Sequence, residues 1–266
     1  MNEPTRQPLG PLLVDIAGPA LTAADRALLR RPAVGGVILF ARNYESPRQL
    51  RALTADLKAL RDPPLLVAAD QEGGRVQRFR DGFCRLPAAR EIGRAYDRDP
   101  QQGLALARDA GELMAGELLA AGVDLSFAPV LDLGPDMALN LGPDGGGVIG
   151  DRAFHAAPGQ VSALAGAVIA GMNAAGMAAV GKHFPGHGGV TADSHHCLPV
   201  DNRGMAEFMA ADLAPYRDLA SRLGGVMTAH LRCPATTWPC RPSPITGCTP
   251  SCVKNSVSTA PCSATT

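Results

Sequence analysis

Lys182, His183, His187, Asp193 and His195 place five ionisable or metal-capable side chains within the fifteen residues Gly181–His195, a stretch otherwise rich in glycine and small residues. That composition suits chemistry better than packing. Asp193 and His195 are two residues apart, so the aspartate can accept from one imidazole nitrogen and aim the other at a reacting atom, the arrangement of a general acid/base. A second chemistry also fits: His183 and His187, four apart, together with His195 could ligate a metal, giving a metal-dependent barrel hydrolase. Pro185 and Gly186 interrupt the helix that would align the first two. His187 is then left a structural role in the turn, and His196 and Cys197 are bystanders.

Two further groups bear charge in suggestive patterns. Asp70-Gln-Glu-Gly-Gly-Arg-Val-Gln-Arg78 supplies a carboxylate, a glycine turn and two arginines, which can grip a polyhydroxyl ligand through carboxylate and guanidinium forks. Alternatively, Asp70 and one arginine form an ion pair at the rim of the fold. Asp151-Arg152 follows a glycine-rich loop and reads, taken alone, as a solvated pair.

These residues sit at the ends of elements whose order is legible. Strands are expected at Pro11–Ala17, Gly35–Phe40, Leu65–Asp70, Val123–Val130, Met177–Gly181 and Gly224–His230, each a short apolar run bounded by glycine, proline or charge. Helices are expected between them: Thr22–Arg31 with Thr22 as cap, Ser46–Leu60 with a serine cap and Pro47 in its first turn, Pro100–Ala121, Pro158–Ala175 and Glu207–Arg222. Strands alternating with helices imply βαβ units and a parallel sheet, where ligands gather beyond the carboxyl ends of the strands. With no dinucleotide glycine fingerprint after the first strand, the expectation is a TIM-type (β/α)8 barrel. It is C-terminally incomplete, having about six βα units, so edges at Pro11–Ala17 and Gly224–His230 are left without partners, an aggregation hazard.

Hydrophobic residues make up 46% of the 266-residue chain and aromatics only 4%, pointing to a core of Ala, Val, Leu and Ile. The 25 basic and 25 acidic residues cancel, which gives no electrostatic case for nucleic-acid or membrane partners. Without a cationic leader or a long apolar run, a soluble, cytoplasmic protein is expected.

The chain changes character at Arg232. Residues 1–231 hold 22 of the 25 basic and all 25 acidic residues, a net of −3. Residues 232–266 hold three basic residues, six prolines, five of the seven cysteines and no carboxylate. The expected division is therefore a (β/α) barrel domain over 1–231 and a tail over 232–266 that is disordered or out of frame. No CxxC pair supports a zinc or disulfide module there.

Taken together, KHFPGHG with DSH (Lys182–His195), DQEGGRVQR (Asp70–Arg78), SFAPVLD (Ser126–Asp132), GDRAFH (Gly150–His155) and MTAH (Met227–His230) closely resemble the bacterial β-N-acetylglucosaminidases of glycoside hydrolase family three, in the family's order from Leu12 to Arg232. The resemblance implies a (β/α)8 barrel that removes terminal β-linked N-acetylglucosamine from muropeptides during cell-wall recycling, by a retaining mechanism with a covalent intermediate. It implies substrate-binding roles for Asp70, Arg78, Arg152, Lys182 and His183. His195 matches the family's general acid/base and Asp193 its paired carboxylate. No cofactor and no resident metal are expected.

The resemblance also implies a nucleophilic aspartate, in a phrase like FSDDL at the end of the seventh strand, and this chain contains none. Synonymous codons chosen for Val257–Thr266 and a stop, read one nucleotide earlier, spell GVDGAVFSDDL, and extension through Cys252–Ser256 permits LREEL before it. A one-nucleotide slip near Cys233–Thr236 would produce this. As written, the chain is expected to be inactive, and a sugar-binding pseudoenzyme is the alternative.

Overall fold

The computed structural model describes residues 5–134, 148–190 and 198–235, together with the backbone of a strand at Val257–Ser258. Four strands, β1 (Leu12–Val14), β2 (Val34–Leu39), β3 (Leu66–Ala69) and β4 (Leu125–Ser126), pair in chain order, each parallel to the next. β5 (Val180–Phe184) and β6 (Gly225–Thr228) form a second parallel pair. Parallel bridges Ser126↔Ala179 and Val130↔Lys182 join the two groups. The strands thus follow chain order, as the alternation of elements requires. At the far edge, Val257–Ser258 pairs antiparallel with β6. Among the described residues no ladder joins β1 to β6, so the sheet is open.

The helices follow their caps. α1 (Ala23–Leu29) starts from Thr22, whose hydroxyl accepts from the Asp25 amide while the Asp25 carboxylate accepts from the Thr22 amide. α2 (Pro47–Lys58) starts from Ser46 and turns fully buried Leu50 and Leu57 to the sheet. Burying a leucine contributes roughly 1.5–3 kcal/mol. α3 (Ala89–Arg98) and α4 (Pro100–Ala120) follow, with Asp99 capping the latter, and α5 (Pro158–Ala174) packs along α4. That approach is close enough to demand glycine: a Cβ on Gly111 would lie 2.3 Å from the Val168 carbonyl oxygen. Beyond α5 come α6 (Met205–Ala210) and α7 (Ala214–Leu219). One continuous core runs through β1–β3 and α1–α5, filled by Val37, Leu39, Val67, Leu118, Leu164 and Ile169. No described helix is long and apolar enough to cross a membrane.

The edge expected to lack a partner at Gly224–His230 is paired with Val257–Ser258, and the elements depart from expectation in four further places. The strand expected at Met177–Gly181 forms at Val180–Phe184, because its ladder with β6 continues to Phe184 opposite Thr228. Lys182 and His183 therefore stand on the strand itself. The helix expected over Glu207–Arg222 is α6, α7 and a terminal 3₁₀ turn, since Pro215 has no N–H to donate inside a helix and instead occupies the first turn of α7. The strand expected over Val123–Val130 has ladder pairing only at Leu125–Ser126. α3 was not anticipated: half of its residues are charged, and only Ile92, Gly93 and Ala95 are buried.

Candidate functional site

Asp70 follows directly on β3, and the chain then doubles back in a small hairpin, Gln71–Gly73 against Val76–Gln77. Gly74 at its turn has φ +53°, a left-handed conformation in which glycine carries no steric penalty. The Gln71 side chain locks the hairpin by accepting from the amides of Arg78 and Phe79, at 2.9 and 3.1 Å. This fold-back sets Glu72 and Arg78 beside Asp70.

From the opposite side, β5 delivers Lys182. Its ammonium donates to Asp70 Oδ1 at 2.8 Å and lies 2.5 Å from Glu72 Oε1, with the side chain only 1% exposed. Arg152 closes on Glu72 as a fork, Nε to Oε2 at 2.8 Å and Nη2 to Oε1 at 2.7 Å. Its neighbour Asp151 pairs with Arg75 at 2.7 Å, so the expected Asp151–Arg152 pair is not what forms. Each residue reaches back across some 75–80 positions to the hairpin, pinning the 150–152 turn over the site. Arg78 adds a longer contact to Asp70, Nη2 to Oδ2 at 3.4 Å.

His183 extends the network. Its Nε2 lies 3.4 Å from Arg152 Nη2, and its Nδ1 lies 2.6 Å from Oδ2 of the fully buried Asp132. Asp132 also accepts from the His187 amide at 2.7 Å. One connected series results: Arg78, Asp70, Lys182, Glu72, Arg152, His183, Asp132.

Three carboxylates in this series are held ionised against their surroundings. Burial pushes Glu72 up, but Lys182 and the Arg152 fork more than reverse it, leaving a pKa of about 2. Burial likewise raises Asp70, and Lys182 with Arg78 brings it below the usual carboxylate range. For Asp132, burial is outweighed by His183 and by the amides of His183 and His187. Burial disfavours the Arg152 cation, but Glu72, Asp132 and Asp70 raise its pKa overall. Beneath the Glu72–Arg152 fork lies an apolar cavity of about 30 Å³ lined by Met114, Val130, Phe154 and Val168, so these charges have little solvent behind them.

All five residues expected to hold a ligand, Asp70, Arg78, Arg152, Lys182 and His183, are therefore brought into one cluster. Asp193 and His195 lie outside the described residues. Among the described residues no group of three or more His, Cys, Asp or Glu is placed to hold a metal ion, and the His183 nitrogen facing Asp132 is already engaged. The sequence reading overlooked Glu72 and Asp132, although both stand inside the phrases it singled out. Glu72 lies two residues past Asp70, and both carboxylates meet Lys182.

Residues 9–248 match the family model for the glycosyl hydrolase family 3 N-terminal domain. The chain belongs to glycosyl hydrolase family 3. Family members of similar sequence include the β-hexosaminidase of Alkalilimnicola ehrlichii, 59% identical over 224 residues, and that of Nitrosomonas eutropha, 54% identical over 228. These alignments cover 84% and 85% of this chain but 62% and 63% of the relatives, so the chain spans a little over three-fifths of their length. Among similar solved structures, NagZ of Neisseria gonorrhoeae in complex with N-trifluoroacetyl-D-glucosamine superposes with a TM-score of 0.81 at 46% identity, over 87% of this chain and 66% of that one. The α/β fold is thus that of the family, and the charge cluster lies at the carboxyl ends of its strands.

Proposed function

We propose that the cluster is the N-acetylglucosamine-binding site of a retaining β-N-acetylhexosaminidase whose complete fold is a (β/α)8 barrel. The supporting observation is the connected series of charged groups and one imidazole from Arg78 to Asp132, carried on β5, the hairpin after β3 and the turns at Asp132 and Arg152. It offers a sugar the donors Lys182, Arg152 and Arg78 and the acceptor Asp70 in positions fixed before any ligand arrives, which lowers the ordering cost of binding. The similar NagZ structure from Neisseria gonorrhoeae is a complex with N-trifluoroacetyl-D-glucosamine. The substrate class follows as terminal β-linked N-acetylglucosamine, with cytoplasmic muropeptides as the natural source.

In this proposal His195 protonates the departing oxygen and later activates water, while Asp193 accepts from its other nitrogen and stabilises the imidazolium. A retaining reaction also needs a carboxylate to form the glycosyl-enzyme, and no carboxylate stands between Arg232 and Thr266. Residues 1–266 by themselves are therefore proposed to bind without turning over, with residues 232–266 proposed as the out-of-frame remainder of the barrel. That same absence favours a second reading, a sugar-binding pseudoenzyme.

Release of chromophore from an aryl β-N-acetylglucosaminide, with and without chelator, and calorimetric titration with N-acetylglucosamine separate these cases. Binding without release is expected. Chelator-insensitive release would defeat the claim of inactivity, and chelator-sensitive release would support a metal-dependent hydrolase. Sequencing the gene tests the frame: an unshifted reading with no SDD phrase downstream would remove that part of the proposal.

A further inference from the structure

We propose that Asp132 is a positioning residue that sets the tautomer of His183 and so makes its Nε2 a hydrogen-bond acceptor in the binding site; this rests on the sugar-binding reading above. Asp132 is completely buried and its two oxygens serve three N–H groups: the His183 Nδ1 at 2.6 Å, the His187 amide at 2.7 Å and the His183 amide at 3.3 Å. An ionised carboxylate only accepts, so the Nδ1 facing it carries a proton. On the other side of the ring, Arg152 Nη2 stands 3.4 Å from Nε2. A guanidinium only donates, so Nε2 is bare. Donor on one side and acceptor on the other leave one arrangement, a neutral ring with its proton on Nδ1.

This assignment has a consequence for ligand choice. Lys182, Arg152 and Arg78 all donate, and Asp70 is already shared with Lys182 and Arg78. A bare Nε2 adds an acceptor that Arg152 approaches only at 3.4 Å. A sugar hydroxyl could then donate to Nε2 while accepting from Arg152, a two-way fit that an imidazolium would deny it. The same carboxylate holds the backbone at His187, so ring tautomer and chain path are fixed by one group.

The test is Asp132→Asn in the full chain. Asparagine preserves the shape but has an acceptor oxygen at only one of the two positions, whereas the His187 amide meets Oδ1 and the His183 Nδ1–H meets Oδ2, so one of them faces an NH₂ instead. A peptide N–H cannot relocate its proton and an imidazole can, so His183 is expected to switch to the Nε2–H tautomer, opposing Arg152. Long-range proton–nitrogen correlation spectra of the ring nitrogens report this directly. The chain has six histidines, and loss of one signal in His183→Gln assigns the resonance. The wild-type chain should show Nδ1–H, D132N should show Nε2–H with the cooperative melt retained, and N-acetylglucosamine affinity should fall about tenfold or more in D132N.

A wild-type His183 protonated on Nε2, or a D132N chain with unchanged tautomer and affinity, would overturn the proposal. Should D132N fail to melt cooperatively, the wild-type spectrum decides by itself. Because the tautomer is read without ligand, a wild-type chain that ignores N-acetylglucosamine would refute the sugar-binding reading alone, and the spectra would still decide the role of Asp132.

Discussion

Replacing Glu72 with glutamine removes the charge at the centre of the charge cluster while leaving its volume nearly unchanged. Glu72 is 8% exposed and contacts Lys182 at 2.5 Å and Arg152 at 2.7 and 2.8 Å. Its pKa falls from 4.5 to about 2 on folding, with burial opposed by Lys182 and Arg152. At about 1.4 kcal/mol for each tenfold change in proton affinity, the ionised carboxylate stabilises the fold by about 3 kcal/mol. That agrees with the roughly 3–5 kcal/mol expected when one member of a buried ion pair is removed. It is a large share of the roughly 5–15 kcal/mol that holds a typical domain together.

The sign gives the pH window. A depressed carboxylate contributes stability that is complete above its unfolded pKa of 4.5 and is lost as pH falls through its folded value of about 2. Urea unfolding at pH 7 should therefore place Glu72→Gln about 3 kcal/mol below wild type, and at pH 3 the difference should shrink to roughly half of that. A gap that stays constant between the two pH values would refute the view that Glu72 is ionised and paired.

Lys182→Met, which strands Asp70 and Glu72 against each other, should cost about 3–5 kcal/mol and move the acid transition to higher pH, as followed by unfolding across pH 2–7. Arg203 bridges the buried Asp201 and Asp212 at 2.7 and 2.6 Å, so Arg203→Met should also lose about 3–5 kcal/mol in urea unfolding. Gly111→Ala should destabilise by about 1–3 kcal/mol despite its better helix propensity, because the added carbon meets the Val168 carbonyl; an unchanged melt would contradict the close packing of α4 on α5. Ser46→Ala should cost about 1 kcal/mol through loss of the cap to the Gln49 amide, measured in the same way.

Elements marked by local chemistry were readable from the sequence. Thr22 and Ser46-Pro47 begin their helices as capping and proline rules require, and α4 and α5 match their expected spans to within a residue or so. What escaped were features set by distant partners. β5 runs past its apolar stretch because β6 lies alongside, and Lys182 is tolerated on a buried strand because Asp70 and Glu72, more than a hundred residues earlier, neutralise it. The motif residues were visible singly, while their linkage through Glu72 and Asp132 depends on how the hairpin after β3 and the end of β4 meet β5. The open sheet has a similar origin: six parallel strands were legible, and whether such a sheet closes depends on what its two edges meet.

The most direct test of the central claim is calorimetric titration of the purified chain with N-acetylglucosamine, paired with the aryl-glycoside assay and with Arg152→Met as the comparison. Saturable binding by wild type, loss of at least about tenfold in Arg152→Met, and no chromophore release are the expected results. Equal binding by both chains, or none by wild type, would contradict the assignment of the Asp70–Glu72–Lys182–Arg152 cluster as the sugar site.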